Sequence, residues 1–198
     1  SDWSSDVCSS DLLLRIFINP GHDMDINPGA CGNGLREVDI VADIGQRLKK
    51  TMETIGYPCT ILQSDNLNGE TAGKPNVCAT ANESDYDIFV SLHCNSAENT
   101  DAKGTETLVY SLGNSNSCIL AKCIQDQLIN SIGTVDRGIK ERPDLCVLRE
   151  TAMPAVLVEI AFISNEHDAF ILANRKQAIS DAVARGITDY ELILKTYF

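Results

Sequence analysis

The chain has 198 residues, 43% hydrophobic and 22% charged, which suits one soluble domain able to bury a core without disulfide support. Its 28 acidic side chains against 16 basic ones leave a net charge of −12, which argues against nucleic acid or an anionic membrane surface as a partner. No apolar run is long enough to insert into a membrane, no signal peptide is visible, and a monomer is expected.

Residues 1–12 are a near-repeat of Ser and Asp without helical or strand period. They read as a foreign, poorly ordered tract ahead of a domain spanning 13–198. Most of the eight cysteines sit inside apolar or helical patterns, such as Cys59 in Tyr57–Leu62 and Cys146 in Leu145–Leu148. No Cys-x-x-Cys pair occurs, and the Cys118–Cys123 spacing suits neither a zinc knuckle nor a redox pair. Most therefore read as small buried hydrophobes made in a reducing compartment.

Leu13–Ile18 is the first predicted strand. Pro20 and Gly21 break it and leave His22 at its C-terminal end, ahead of a Gly-rich loop through Gly34. A helix is expected from about Leu35 to Ile55, with Val41, Ile44, Leu48, Met52 and Ile55 as its apolar stripe and Gly56 as its stop. Glu37 lies in its first turn, where an acid is common for dipole reasons alone. Tyr57–Leu62 is a second strand, and a short helix is expected near Val77–Asn82. Asp87–Leu92 is a third strand that delivers His93, followed by Cys94 and Asn95, and Gly104–Ser111 is a fourth. Cys118–Ile132 reads as helix. Arg137–Lys140 follows, then a short strand at Cys146–Leu148, then Pro154–Phe162, and terminal helices ending with one over about 175–195. Strands alternating with helices predict an α/β three-layer sandwich, a mainly parallel twisted sheet of about six strands covered on both faces.

Pro154–Phe162 is the most informative stretch. It is a β-branched apolar run with one carboxylate, Glu159, in its middle, and burying an ionised group costs several kcal/mol (of order) unless a cation or strong donors face it. Glu159 either leaves the strand into solvent, pairs with a basic side chain, or serves a site. In a parallel sheet the strand C-termini share one edge, so His22 and His93 can meet there and the loop after His22 can return Glu37 to them. Two imidazoles and a carboxylate match an open catalytic Zn²⁺ site with water in the fourth position, and Glu159 then becomes intelligible as the base handling that water. Each member alone has an ordinary reading as a hydrogen-bonded loop histidine or a first-turn acid.

Four blocks carry a family resemblance: Asn19-Pro20-Gly21-His22 with Gly34 and Glu37; Ser91-Leu92-His93-Cys94-Asn95; Arg137-Gly138-Ile139-Lys140; and Leu148-Arg149 with Met153–Asn165. In this order, over essentially all of residues 14–195, they resemble the zinc-dependent N-acetylmuramoyl-L-alanine amidases of bacterial cell-wall turnover and phage lysis. The resemblance implies peptidoglycan as substrate, His22, Glu37 and His93 as metal ligands, and Glu159 as catalytic acid/base, with the enzyme secreted or released on lysis to act on the wall. Two departures stand out: Asn19 where the family usually has Asp, and Ala161 where it usually has Gly. An amide at Asn19 would orient a ligand imidazole less strongly than a carboxylate.

Asn95, Lys140 and Arg142 are candidates for gripping substrate carboxylates or carbonyls, with surface solvation an equal reading for Arg142. The same four site residues would also serve a zinc peptidase or deacetylase. A wall-associated module that binds zinc without activity is a third reading, and a cysteine hydrolase built on Cys94 and His22 a remote fourth.

Overall fold

A computed structural model describes residues 13–113 and 115–197; the Ser/Asp tract at 1–12 lies outside them. The first strand, β1 (Ile16–Pro20), runs into the loop carrying His22. A two-residue hairpin, β2 (Cys31–Gly32) and β3 (Leu35–Arg36), precedes helix α1 (Glu37–Thr54). The turn of this hairpin is made by Asn33 and Gly34, both at positive φ (51° and 76°), the backbone conformation that tight two-residue hairpin turns require. The sequence pattern puts the helix start near Leu35. The structure spends Leu35 and Arg36 in the hairpin, so the helix begins at Glu37.

Strand β4 (Cys59–Ile61), the short helix α2 (Val77–Asn82), β5 (Ile88–Asn95), β6 (Thr105–Val109) and helix α3 (Asn116–Ile132) follow. The chain then forms β7 (Asp136–Glu141), one helical turn α4 (Cys146–Arg149), β8 (Ala155–Phe162), and the helices α5 (Glu166–Asn174) and α6 (Lys176–Tyr197). Six strands make the main sheet in the order β4-β1-β5-β8-β6-β7, as the expected architecture requires. The sixth strand is a different segment, however. Cys146–Leu148 forms a helical turn, and its place in the sheet is taken by Asp136–Glu141. Strands β4, β1, β5 and β8 are mutually parallel, whereas β6 lies antiparallel to β8 and carries β7 with it.

Side chains of a strand alternate between sheet faces, and here the two faces differ. Ile16, Ile18, Ile88, Val90, Leu92, Val156, Val158 and Ile160 point to a thick layer with α1, α3 and α6. Phe17, Phe89, Leu108, Ala155 and Leu157 point to a thin layer covered by α2 and α4. Phe17 stacks on Phe89 with ring centroids 5.5 Å apart and meets Tyr86 edge-on at 5.1 Å. Counting in steps of two along the strands, onward from Phe17, Phe89 and Leu157 and back from Leu108, places Asn19, Ser91, His93, Glu159 and Glu106 on the thin face too. The sheet thus delivers these polar residues to its less covered side.

The thick layer closes where α3 crosses α6. Gly186 permits that approach: a Cβ built there would lie 2.6 Å from the Cα of Ile124. The obstruction is backbone and cannot rotate away. Gly186→Val should therefore destabilise the fold by about 1–3 kcal/mol through overpacking, more than the helix propensity recovered on replacing glycine (under about 1 kcal/mol). Urea unfolding at unchanged m-value is the measurement; a midpoint at or above wild type would contradict this account of the α3–α6 contact.

Candidate functional site

The site lies at the C-terminal ends of β1, β5 and β8. His22 follows β1 with a left-handed backbone (φ 67°), which turns its ring back over the sheet edge. His93 is carried near the end of β5, paired in register with Glu159 on β8. Glu37 opens α1. This helix has no side-chain cap on its first turn; the amides of Glu37 and Val38 instead donate to the carbonyls of Ala30 and Pro28 at 2.9 and 3.1 Å. Loop carbonyls thus satisfy two of the amides that a helix start leaves open, and they anchor Glu37 against the loop after His22.

The Glu37 carboxylate is 3% exposed as a residue and joins the other groups. Its Oε1 accepts the Cys94 amide at 2.8 Å and lies 3.0 Å from His93 Nδ1. Its Oε2 accepts the Ala30 amide at 2.8 Å and lies 3.0 Å from His22 Nε2. One donor atom from each of His22, Glu37 and His93 can be chosen so that all lie within 4.8 Å of one another. Two glycines make the room. A Cβ on Gly21 would fall 2.2 Å from His93 Cε1, and one on Gly29 would fall 2.5 Å from His22 Cδ2 and 2.6 Å from Glu37 Oε2.

Burial alone would raise the proton affinity of Glu37, but hydrogen bonds with both imidazoles and the Cys94 amide hold it far below the ordinary carboxylate range. Burial lowers the affinity of His22, yet the neighbouring Glu37 carboxylate, with Asp65 and Glu159 further off, outweighs it and leaves the net shift upward. Two imidazole nitrogens and an ionised carboxylate turned toward one point form a donor set that a divalent cation fits, since it can take the place of shared protons. This composition is that of an open zinc site rather than a closed structural one.

Glu159 differs from Glu37 in kind. Its Oε2 is buried and has no hydrogen-bond partner among the described residues. Burial is the leading cause that pushes its pKa up to about 7; His93 opposes this, and the carboxylates of Glu37 and Glu106 add to it. Glu106 stands directly opposite it on β6, where two like charges in cross-strand register repel. Glu106 is kept ionised, against its burial, by Lys140 and Arg137, whose side chains both reach its Oε2. Asn95 Nδ2 donates to its Oε1 at 3.1 Å. The Arg137 guanidinium also lies 4.8 Å from the Phe162 ring centroid.

Of the proposed substrate contacts, then, Asn95 and Lys140 converge on Glu106, which the sequence reading passed over. Its only sequence signal was a lone acid two residues before Leu108 on a predicted strand. Arg142 pairs with Asp144 at 2.7 Å, both at the surface. Asn19 hydrogen-bonds neither imidazole: its amide donates to the Leu62 carbonyl at 3.0 Å, and its Oδ1 accepts the Ser91 hydroxyl at 2.9 Å. It ties strands together and orients no ligand. Cys94 points to the thick layer and is buried, and burial drives its thiol well above the ordinary range, which removes the cysteine-hydrolase reading.

The groups open into a cleft of about 150 Å³ lined by His22, His93, Asp65, Leu67 and Leu145–Val147. Over 178 residues the chain is 36% identical to the N-acetylmuramoyl-L-alanine amidase LytC of Bacillus subtilis, which covers 88% of this chain and 34% of that protein. It is 37% identical to the uncharacterized protein YqiI of the same organism, covering 88% of this chain and 84% of that one. The chain therefore spans about a third of the length of LytC and most of YqiI. Among solved structures, the amidase AmiC2 of Nostoc punctiforme superimposes with a TM-score of 0.76 at 28% identity, over 89% of this chain and 96% of that one. Residues 16–189 match the family model described as N-acetylmuramoyl-L-alanine amidase, and the chain belongs to that family.

Proposed function

We propose that this chain hydrolyses the amide between the lactyl group of N-acetylmuramic acid and the L-alanine of the peptidoglycan stem peptide. In this reading His22, Glu37 and His93 hold Zn²⁺ and Glu159 is the general acid/base. The observation that carries it is the buried Oε2 of Glu159, without a hydrogen-bond partner among the described residues, beside a converged His–Glu–His donor set. Family membership supplies the substrate class.

Zinc held by these three residues would supply Lewis acidity, making a water more acidic and the scissile carbonyl more electrophilic. The chain's own residues do the rest. Glu37 stays ionised and, through its two backbone amides, fixes the spacing of the imidazoles. Glu159 takes a proton from the attacking water as its oxygen bonds to the lactyl carbonyl carbon. It then returns that proton to the alanine nitrogen as the C–N bond breaks, leaving a lactyl carboxyl group and a free alanine amine. A carboxylate held near neutral affinity can both accept and release that proton. Asn95 and Lys140, gathered by Glu106 beside Glu159, and the surface residue Arg142 are proposed to meet carbonyls and carboxylates of the stem peptide.

The reaction places the chain at the bacterial cell wall. Among the described residues no helix is long and apolar enough to cross a membrane.

Purified peptidoglycan incubated with the zinc-loaded protein should release stem peptides beginning with L-alanine, seen by mass spectrometry, and EDTA should abolish them. Products cut elsewhere in the stem would replace the amidase reading with a peptidase one. Glu159→Gln should keep its zinc by elemental analysis yet lose about 10²–10⁴-fold in kcat, because an amide cannot accept the proton; near-normal turnover would remove Glu159 from the mechanism. The acid/base role also sets a sign for pH. The working form of Glu159 before attack is the carboxylate, so kcat/KM should rise with pH through its titration and level off above it. The midpoint should lie at or below the value of about 7 that burial imposes, since a bound cation favours the ionised form. A rate that falls across that same limb would contradict the assignment.

A further inference from the structure

Strand β7 breaks the alternation of its side chains. On a regular strand, residues three apart point to opposite faces. Yet Arg137 Nε (at 2.6 Å) and Lys140 Nζ both donate to Glu106 Oε2. The register explains it. Thr105 pairs with Asp136 and Thr107 with Ile139, so β7 spends one residue more than β6 over this stretch, and that residue makes a β-bulge. Gly138 supplies a left-handed backbone there, φ 75°, and its amide donates to Asp136 Oδ1 at 2.9 Å. One bulge thus turns both cations of β7 onto the acid that stands opposite Glu159.

We infer that Arg137 and Lys140 form a carboxylate-binding subsite. It selects stem peptides in which the residue after L-alanine keeps a free carboxylate over those in which that group is amidated. The inference rests on the amidase reading of the site and adds Arg137 to it as a specificity-determining residue.

Charge and donor count call for an anion. Two cations share one carboxylate, an excess of positive charge in a chain whose net charge is −12. Arg137 spends its Nε on Glu106; among the described residues its two Nη groups have no protein acceptor. The side chains of Arg137 and Lys140 are 33% and 41% exposed, so a ligand can reach them. The guanidinium is held at one edge by Glu106 and lies over the Phe162 ring, 4.8 Å from its centroid. A fork fixed in this way loses little freedom when it binds. A carboxylate accepts two N–H bonds from it, whereas a carboxamide offers one acceptor and turns an N–H₂ group toward the donors. Position identifies the carboxylate. Across the sheet come His22 after β1, His93 on β5, Glu159 on β8 and Glu106 on β6. With the scissile carbonyl at the histidines and the alanine nitrogen at Glu159, the peptide runs on toward β6, one strand spacing of about 4.8 Å away. An extended residue spans about 3.3–3.6 Å, so the residue after alanine is the one brought over Glu106 and its cations. Carboxylates further along the stem lie past them.

The test is an internal competition. Peptidoglycan in which that carboxylate is amidated on only part of the stems is incubated with the zinc-loaded chain. Released peptides beginning with L-alanine are sorted by mass spectrometry into acid and amide forms. Early in the digest the ratio of acid to amide should exceed that of the wall about 10–100-fold, the range of a hydrogen bond to a charged group. Arg137→Gln should return the ratio to that of the wall whatever its overall rate. Arg137→Lys, which keeps the charge and loses the fork, should fall between. Acid and amide released in the wall's own proportion, or an excess of amide, would overturn the inference and leave the amidase reading standing; so would an enrichment that survives Arg137→Gln. No release of peptides beginning with L-alanine would remove both. The wild-type ratio decides even if a variant fails to fold.

Discussion

One carboxylate holds the functional edge together. Glu37 is buried and ionised, a state that is costly unless every lone pair is engaged. Each of its oxygens has a backbone amide on one side and an imidazole on the other. The amides come from Ala30 in the loop and Cys94 in β5, the imidazoles from the ends of β1 and β5. Three segments, the end of β1, the loop after it and β5, are thereby registered against the first residue of α1. The glycines at 21 and 29 follow from this arrangement, because no side chain fits between the rings and the backbone beneath them.

The two acids of the site are made different by their partners. Glu37 has four donors around it and stays charged; Glu159 has an oxygen with none and binds a proton more readily. The reversal of β6 sharpens the difference. A parallel neighbour to β8 would present its C-terminal end at this edge, whereas the antiparallel β6 presents its first residues, and with them Glu106. Arg137 and Lys140 then cluster on Glu106, so the region around Glu159 gains cationic groups from β7, the strand beyond.

Much of this was readable in the chain. The largely apolar runs at 16–18, 88–92 and 155–162 specify strands buried on both faces, and a carboxylate or histidine set into or just after such a run stands out. The same logic fails where a segment lacks that pattern. Asp136–Glu141 is an edge strand with one apolar residue, Ile139, and little of it is buried, so nothing in its composition asks for a sheet. Cys146-Val147-Leu148 has apolar residues but too few to show a period, and it is helical. Strand direction leaves no trace in side-chain alternation, which is why the reversed β6, and the place of Glu106 opposite Glu159, emerge only in three dimensions.

The backbone of His22 carries a further meaning. A left-handed φ of 67° at a non-glycine residue costs free energy that glycine at the same place would not incur. Local folding preference and the demand for an imidazole therefore pull in opposite directions at this position. Selection for thermal robustness alone would drift toward glycine there and lose the ring. The imidazole thus records selection for something other than stability, a conclusion drawn from one torsion angle and independent of any relative.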